Sequence, residues 1–340
     1  MMLMRLLKTF SILFILVNAF VAIGQTPTIE ILESGNKVSI RGLSVVTNKI
    51  IWASGNNGMV AKSTNGGKTF DWIKVAGYEK RDFRDIEAFD NNTAIIMGVD
   101  APAIILKTID GGKSWKTVLL DSTKGMFLDA MDFSDNKNGI VVGDPMDQKV
   151  YLSTTNDQGN TWKRKIYIEN PNTLTTHTGE AFFASSGTNI KLIGKEIVFV
   201  SGGMKSQIFY QNKWKELPLI QGKESTGANS IAVNHRNSVV VGGDFSKDTI
   251  VSGNCVLINL GKELTITQPE TAPHGYQSCV IYISEHVLLA CGTSGVDISK
   301  DGGKNWALIS RDGFHVVQKA KNGTAVFLAG SNGRIAKLIF

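Results

Sequence analysis

Apolar residues along this chain come in short runs that end in glycine: "IIWASG" (50–55), "AIIMG" (94–98), "GIVVG" (139–143), "EIVFVSGG" (196–203), "SVVVGG" (238–243), "VLLACG" (287–292) and "AVFLAG" (325–330). Each follows a second β-rich segment: "GLSVV", "FRDIEAF", "MFLDAMDF", "EAFFAS", "ANSIAV", "QSCVIYI" and "FHVVQKA". None of these runs carries the three-to-four-residue period of a helix, and β-branched residues bounded by glycine predict strands. After each glycine-ended run a third strand leads into a polar turn, and a fourth begins at an aromatic residue. The unit is therefore four antiparallel strands, repeated.

The polar turns repeat as text. "STNGGKTF" (63–70), "TIDGGKSW" (108–115), "TNDQGNTW" (155–162) and "SKDGGKNW" (299–306) share Ser/Thr-x-Asp/Asn-x-Gly, two residues, then Phe or Trp. Asn65, Asp110 and Asp157 are 45 and 47 residues apart, and Asp301 follows after 144, three steps of 48. Two further units are thus hidden, with turns expected near 205 and 253. A period of this length with four strands per unit predicts a β-propeller. Seven glycine-ended runs predict seven blades. "TIEILES" (28–34) is expected beside the C-terminal "RIAKLIF" (334–340), closing the ring.

In each turn the acidic or amide side chain can accept hydrogen bonds from backbone amides just ahead of it. The glycine two residues later allows a positive φ, and the aromatic ring packs between sheets. Every residue type has a structural explanation, so Asp110, Asp157 and Asp301 are not site candidates. No metal set is read, because each turn offers one carboxylate at most.

The phrase resembles the Asp-box, or BNR repeat, of sialidases and sortilin-type domains. With glycine-rich boxes and a seven-fold period, the mature chain is most similar to the photosystem II stability/assembly factor-like propellers, within the sialidase-like superfamily. That resemblance implies an exported, non-enzymatic propeller that assembles or stabilises an envelope or membrane protein complex through an arginine-rich face. A sialidase-like reading would instead require three arginines on a substrate carboxylate, a Tyr–Glu pair and an acid/base Asp. "SIRGL" (39–43) lacks the Pro of the Phe-Arg-Ile-Pro motif, and "FRDI" (83–86) keeps only Phe-Arg.

Residues 1–24 read as a signal peptide. Arg5 and Lys8 precede an apolar run from Phe10 to Val21, shorter than the ~20 residues that span a bilayer. Residues 25–340 form one domain, exported to a periplasm or beyond, with no integral membrane segment after cleavage. Loss of Arg5 and Lys8 takes the formal charge from +6 to +4, with no dense basic stripe, which argues against nucleic acid. No dinucleotide fingerprint or nucleophile elbow appears, and no cofactor is expected. Cys279 and Cys291 are equidistant from a turn near Glu285, consistent with a cross-strand disulfide or, preferably, two buried thiols; Cys255 is the third cysteine.

Topology divides the connections between two faces. The Asp turns lie on one; the blade-to-blade links lie on the other, where loops on a rigid scaffold carry function. Three links there are long, at 165–179, 216–228 and 265–277. Arg311, Arg41, Arg81 and Arg84, with Lys80, precede or open the first strands of neighbouring blades and predict one basic sector suited to carboxylates or phosphates. Asp129, Asp144, Glu180 and Asp244 supply acid on the next blades. His177, Tyr276, Gln277 and His315 complete the predicted binding set. No catalytic residue is assigned. The favoured reading is protein recognition; the alternative is a carbohydrate-active protein that binds or cleaves an anionic glycan with the same face.

Overall fold

The computed structural model describes residues 27–165 and 172–340. The signal-peptide reading and part of the 165–179 link lie outside the described residues. The chain is all-β. Its first meander is Ile40–Val45, Ile51–Gly55, Met59–Ser63 and Asp71–Lys74, hydrogen-bonded in that order. Four-stranded sheets of the same kind begin at Phe83–Ala88, Leu128–Phe133 and Cys279–Tyr282. A further sheet joins Val316–Lys319, Val326–Ala329 and Ile335–Ile339 to the N-terminal strand Thr28–Glu33, with Thr28 opposite Ile339. The remaining sheet has nine strands. It contains two meanders, opening at Ile190–Ile193 and Thr226–Asn234, joined by a single pair, Gly202 with Gly227.

The first strand of each meander lies against the first strand of the next, and Val316–Lys319 lies against Ile40–Val45, so the ring is closed. The second strands are buried on both faces, every residue of Ile51–Gly55 and Ala94–Gly98 included. That is why they read as unbroken apolar runs instead of alternating ones. The fourth strands, such as Lys116–Asp121, are largely exposed. Core clusters fill the seams between sheets; Trp52 and Val60 of one sheet, for example, pack with Ile86, Ile96 and Leu106 of the next.

The repeated turn is held by its first residue as much as by its acid. The Thr108 hydroxyl donates to Asp110 Oδ1 at 2.9 Å and accepts the Gly112 amide at 3.0 Å. Asp110 then accepts the Ser114 amide at 2.9 Å and its hydroxyl at 2.6 Å, so it caps residues behind and beyond the turn and not only those just ahead. The same pattern recurs at Ser63/Asn65, Thr155/Asp157 and Ser299/Asp301. The Ser114 hydroxyl and amide hold the exposed Asp110 carboxyl down at about 2, and Thr161 does the same for Asp157, also at about 2. Gly112 sits at φ +90°, and a Cβ there would come within 2.9 Å of Ile73 on the preceding sheet. The glycine thus serves both the turn and the seam.

Two sequence expectations are corrected. The hidden units turn at Gln211–Asn212, between Gln207–Tyr210 and Lys213–Glu216, and at residues 261–263, six to ten residues beyond the expected places. "EAFFAS" does not form a first strand: only Glu180–Ala181 is extended, pairing with Gly203 and Gly202, and the first strand is Ile190–Ile193. The intervening Phe182–Asn189 runs into the ring centre. Arg41 Nη1 donates to the Ser185 carbonyl at 3.2 Å, the Ser186 hydroxyl donates to the Ser278 carbonyl at 2.7 Å, and Thr188 and Ser230 share a hydroxyl bond at 2.7 Å. Gly187 lies against the Asp85 carboxyl. This segment plugs the channel by contacting three other sheets and the second meander of its own.

Cys279 stands opposite Cys291 in the hairpin, and all three cysteines are buried, free thiols.

The glycines that end the second strands have a steric reason. A Cβ on Gly242 would collide with the Gly227 carbonyl, one on Gly143 with that of Phe127, and one on Gly292 with that of Tyr276. Gly242→Ala is therefore expected to destabilise the protein by up to about 3 kcal/mol through overpacking. Gly302→Ala, at φ +76° in open space, should cost only the left-handed strain of about 1 kcal/mol. Urea unfolding of both variants checks the order; equal losses would contradict the steric account.

Candidate functional site

The glycine-ended strands matter because of what lies opposite them. At the start of the first strands the register slips between Ile40 and Gly42, Phe83 and Asp85, Leu128 and Ala130, and Ala228 and Ser230. The unpaired residues of these β-bulges are Arg41, Arg84, Asp129 and Asn229. Ser278 and Cys279 both oppose Cys291, and His315 and Val316 both oppose Ala329, so Ser278 and His315 hold the same place in the last two sheets. Bulges re-aim side chains. Here they point one residue per sheet toward the ring centre.

On the face opposite the Asp turns, four of these residues, Arg41, Arg84, Asn229 and His315, help to line a cavity of about 500 Å³. Arg41, Arg84, His315, Asp144 and Asn229 share its lining with Phe127, Phe183, Phe245 and Tyr276. The plug supplies Phe182 to Ser185 as the floor. Arg41 is half-buried, and burial followed by the charge of Arg84 lowers its pKa. Arg84 pairs with Asp82 at 2.8 Å. His315 is pushed down to about 3 by burial and then by the two arginines, so it is neutral, bonded to the Ser331 hydroxyl at 2.9 Å. The Tyr276 hydroxyl donates to Asn229 Oδ1 at 2.9 Å, and burial pushes it up to about 12. Asp144 accepts the Phe182 amide at 2.8 Å, while burial raises its carboxyl to about 6. Phe245, 49% exposed, makes edge contacts with Phe183 and Tyr276.

Of the twelve predicted residues, the structure brings Arg41, Arg84, Asp144, Tyr276 and His315 to this cavity. Arg81 turns away and donates to the Asp100 and Pro102 carbonyls. Arg311 is exposed and outside the cavity lining. Asp129 occupies its bulge fully buried and behind the wall. Glu180 caps the His177 amide at 2.8 Å and meets the Ser201 hydroxyl, a structural role; His177 faces Lys205. Asp244 binds the amide and hydroxyl of Ser246, and Gln277 is buried against Asp297 at 3.0 Å. Phe314, next to His315, is core. Asn229 and the aromatic residues Phe127, Phe183 and Phe245 were not predicted. Asn229 was accessible by analogy, since it follows the first apolar residue of its strand as Arg41 and Arg84 do. Among the described residues no three His, Cys, Asp or Glu side chains converge on a metal position.

No protein-family model matches the chain, and neither does any curated protein. Solved structures do. YCF48 bound to a D1 peptide is similar at 16% identity and a TM-score of 0.65, over 92% of this chain and 97% of that one. YCF48 from Cyanidioschyzon merolae gives 16% and 0.64, over 91% and 98%. The WD40 β-propeller domain of Doa1 gives 12% and 0.60, over 92% and 97%. Likeness at these identities establishes the fold, a β-propeller. The YCF48 structures also fit the resemblance to photosystem II stability/assembly factor-like propellers.

Burial of Asp144 gives a test of the cavity's electrostatics. Its folded pKa of about 6 lies above its ordinary value, so the protein loses stability as pH rises from the unfolded pKa through the folded one. Asp144→Asn keeps the acceptor for the Phe182 amide and removes the charge. Its Tm should exceed that of wild type near about pH 7 and match it near about pH 4. Equal Tm at both pH values would show that Asp144 is solvated.

Proposed function

We propose that this chain is an exported, non-enzymatic recognition propeller that binds a segment of a membrane or envelope protein complex during its assembly, through the arginine-bearing cavity. The observation that carries this reading is Arg41: a guanidinium aimed by a backbone bulge into an aromatic-lined cavity, beside Arg84, its hydrogen-bond partner among the described residues being a carbonyl of the plug. Arginines placed in this way recognise carboxylates or the carbonyl-rich backbone of a peptide. YCF48 has been solved with a D1 peptide bound, so a propeller similar to this one holds a peptide. Taken as two blades, the nine-stranded sheet brings the count to seven, and the Ser/Thr-x-Asp turns are read as Asp-boxes. Export rests on the sequence of residues 1–24.

What supports a non-enzymatic role is how the reactive groups are committed. Tyr276 is bonded to Asn229, and His315 is bonded to Ser331. The sialidase-like form of the carbohydrate-active alternative needs three arginines on one carboxylate, and Arg311 lies outside the cavity. It is the weaker reading.

A crosslinking pull-down from the native cell envelope tests the proposal. Wild-type bait should capture a protein partner, and the Arg41→Ala/Arg84→Ala bait should lose it by about tenfold or more, as for interface arginines elsewhere. Arg311→Ala should capture as wild type does. Retention by the double variant, or capture of polysaccharide alone, would overturn the reading.

A further inference from the structure

The cavity carries both signs of charge, and the two are not paired with each other. Arg41 and Arg84 stand at the bulges of two neighbouring sheets. Asp144 stands on the next sheet round, in the strand Gly139–Met146. One Asp144 oxygen accepts the Phe182 amide, and no ion pair among the described residues joins this carboxyl to a base.

Behind it lies Asp129, with no exposed surface and, among the described residues, no hydrogen-bond partner on either carboxyl oxygen. The Asp144 and Ala184 amides are near it but outside hydrogen-bonding geometry. Asp129 sits at the same bulge position that aims Arg41 and Arg84 inward. The flank that carries Asp144 is thus short of donors, while the neighbouring flank supplies Arg41 and Arg84, the latter close enough for its charge to reach Asp129. Aromatic side chains share the lining, and Phe245 is half exposed.

A ligand with acidic groups alone would satisfy the arginines and desolvate Asp144 against a like charge, at a cost. A ligand that also carries a cation would satisfy both flanks. We infer that Asp144 is the specificity-determining acceptor for a basic group, so that the cavity selects a dipolar peptide segment in which an acidic and a basic side chain flank an apolar one. The inference rests on the peptide-binding reading above and adds the ligand's second charge to it.

Two capped tripeptides serve as probes, acetyl-Glu-Leu-Lys-amide and acetyl-Glu-Leu-norleucine-amide, which differ only in the terminal ammonium. Calorimetric titration into the full chain should show the lysine peptide binding about tenfold more tightly, the value of one charge-assisted hydrogen bond. Asp144→Asn, which retains the shape of the side chain and its bond to Phe182, should bring the ratio near one. Arg41→Ala should weaken both peptides alike. If wild type binds the two peptides equally, or if the preference survives in Asp144→Asn, the dipolar inference fails; loss of both peptides in Arg41→Ala would then leave the peptide-binding reading standing. Failure of wild type to bind either peptide would overturn both.

Discussion

The missing Cβ at the end of most second strands is the constraint on which the site depends; Gly98 and Gly330, where a Cβ would meet its nearest neighbour at 3.1 Å, are the looser two. A bulge on one strand pushes backbone toward its partner, and at the tight positions only glycine leaves room. Gly143, Gly242 and Gly292 each face a carbonyl that a side chain would strike. With that room the first strands can begin with two residues opposite one, and the extra residue turns inward. The glycine-ended runs and the ring of Arg41, Arg84, Asp129, Asn229, Ser278 and His315 are two sides of one packing solution. The scaffold and the cavity share a cause, and neither can be altered without the other.

Closing the ring from both ends of the chain fixes the geometry of those inward residues. Thr28–Glu33 is hydrogen-bonded to Ile335–Ile339, so the first and last sheets cannot drift apart. The plug Phe182–Asn189 then seals the channel below the cavity, tied to Arg41, Ser230 and Ser278. A ligand therefore meets a closed, one-sided bowl and cannot thread through the ring. A floor of backbone and small hydroxyl residues suits recognition of a short segment held at the mouth.

Much of the fold was legible in the sequence because the turn chemistry repeats. Thr108, Asp110, Gly112 and Trp115 do separable physical jobs, and each job demands one residue type. The hidden units were harder to place: Lys213–Glu216 and Leu264–Thr267 follow plain turns, where register is set by packing and not by a motif. "EAFFAS" misled because an apolar segment filling a channel has the same composition as a buried strand. Charged site residues at the bulge were legible, as Arg41 and Arg84 are, whereas the neutral Asn229 at the same place was not. Arg81, three residues earlier, has the same chemistry but bonds to the Asp100 and Pro102 carbonyls of its own sheet. Glu180 and Gln277 were misread for a related reason: a polar residue near the channel can belong to an internal network, and only three-dimensional placement separates that from an open wall. Phe183 and Phe245 come from loops whose apolar rings gave no periodic signal.

The proposed partner engages the cavity face. Site-specific photocrosslinking tests it most directly, with a benzophenone amino acid placed at Phe245 on the cavity rim or at Ile109, 73% exposed in an Asp turn on the opposite face. In native envelope, the account predicts a protein adduct from position 245 and none from 109. An adduct from position 109 with none from 245 would contradict it and move the interaction to the Asp-turn face.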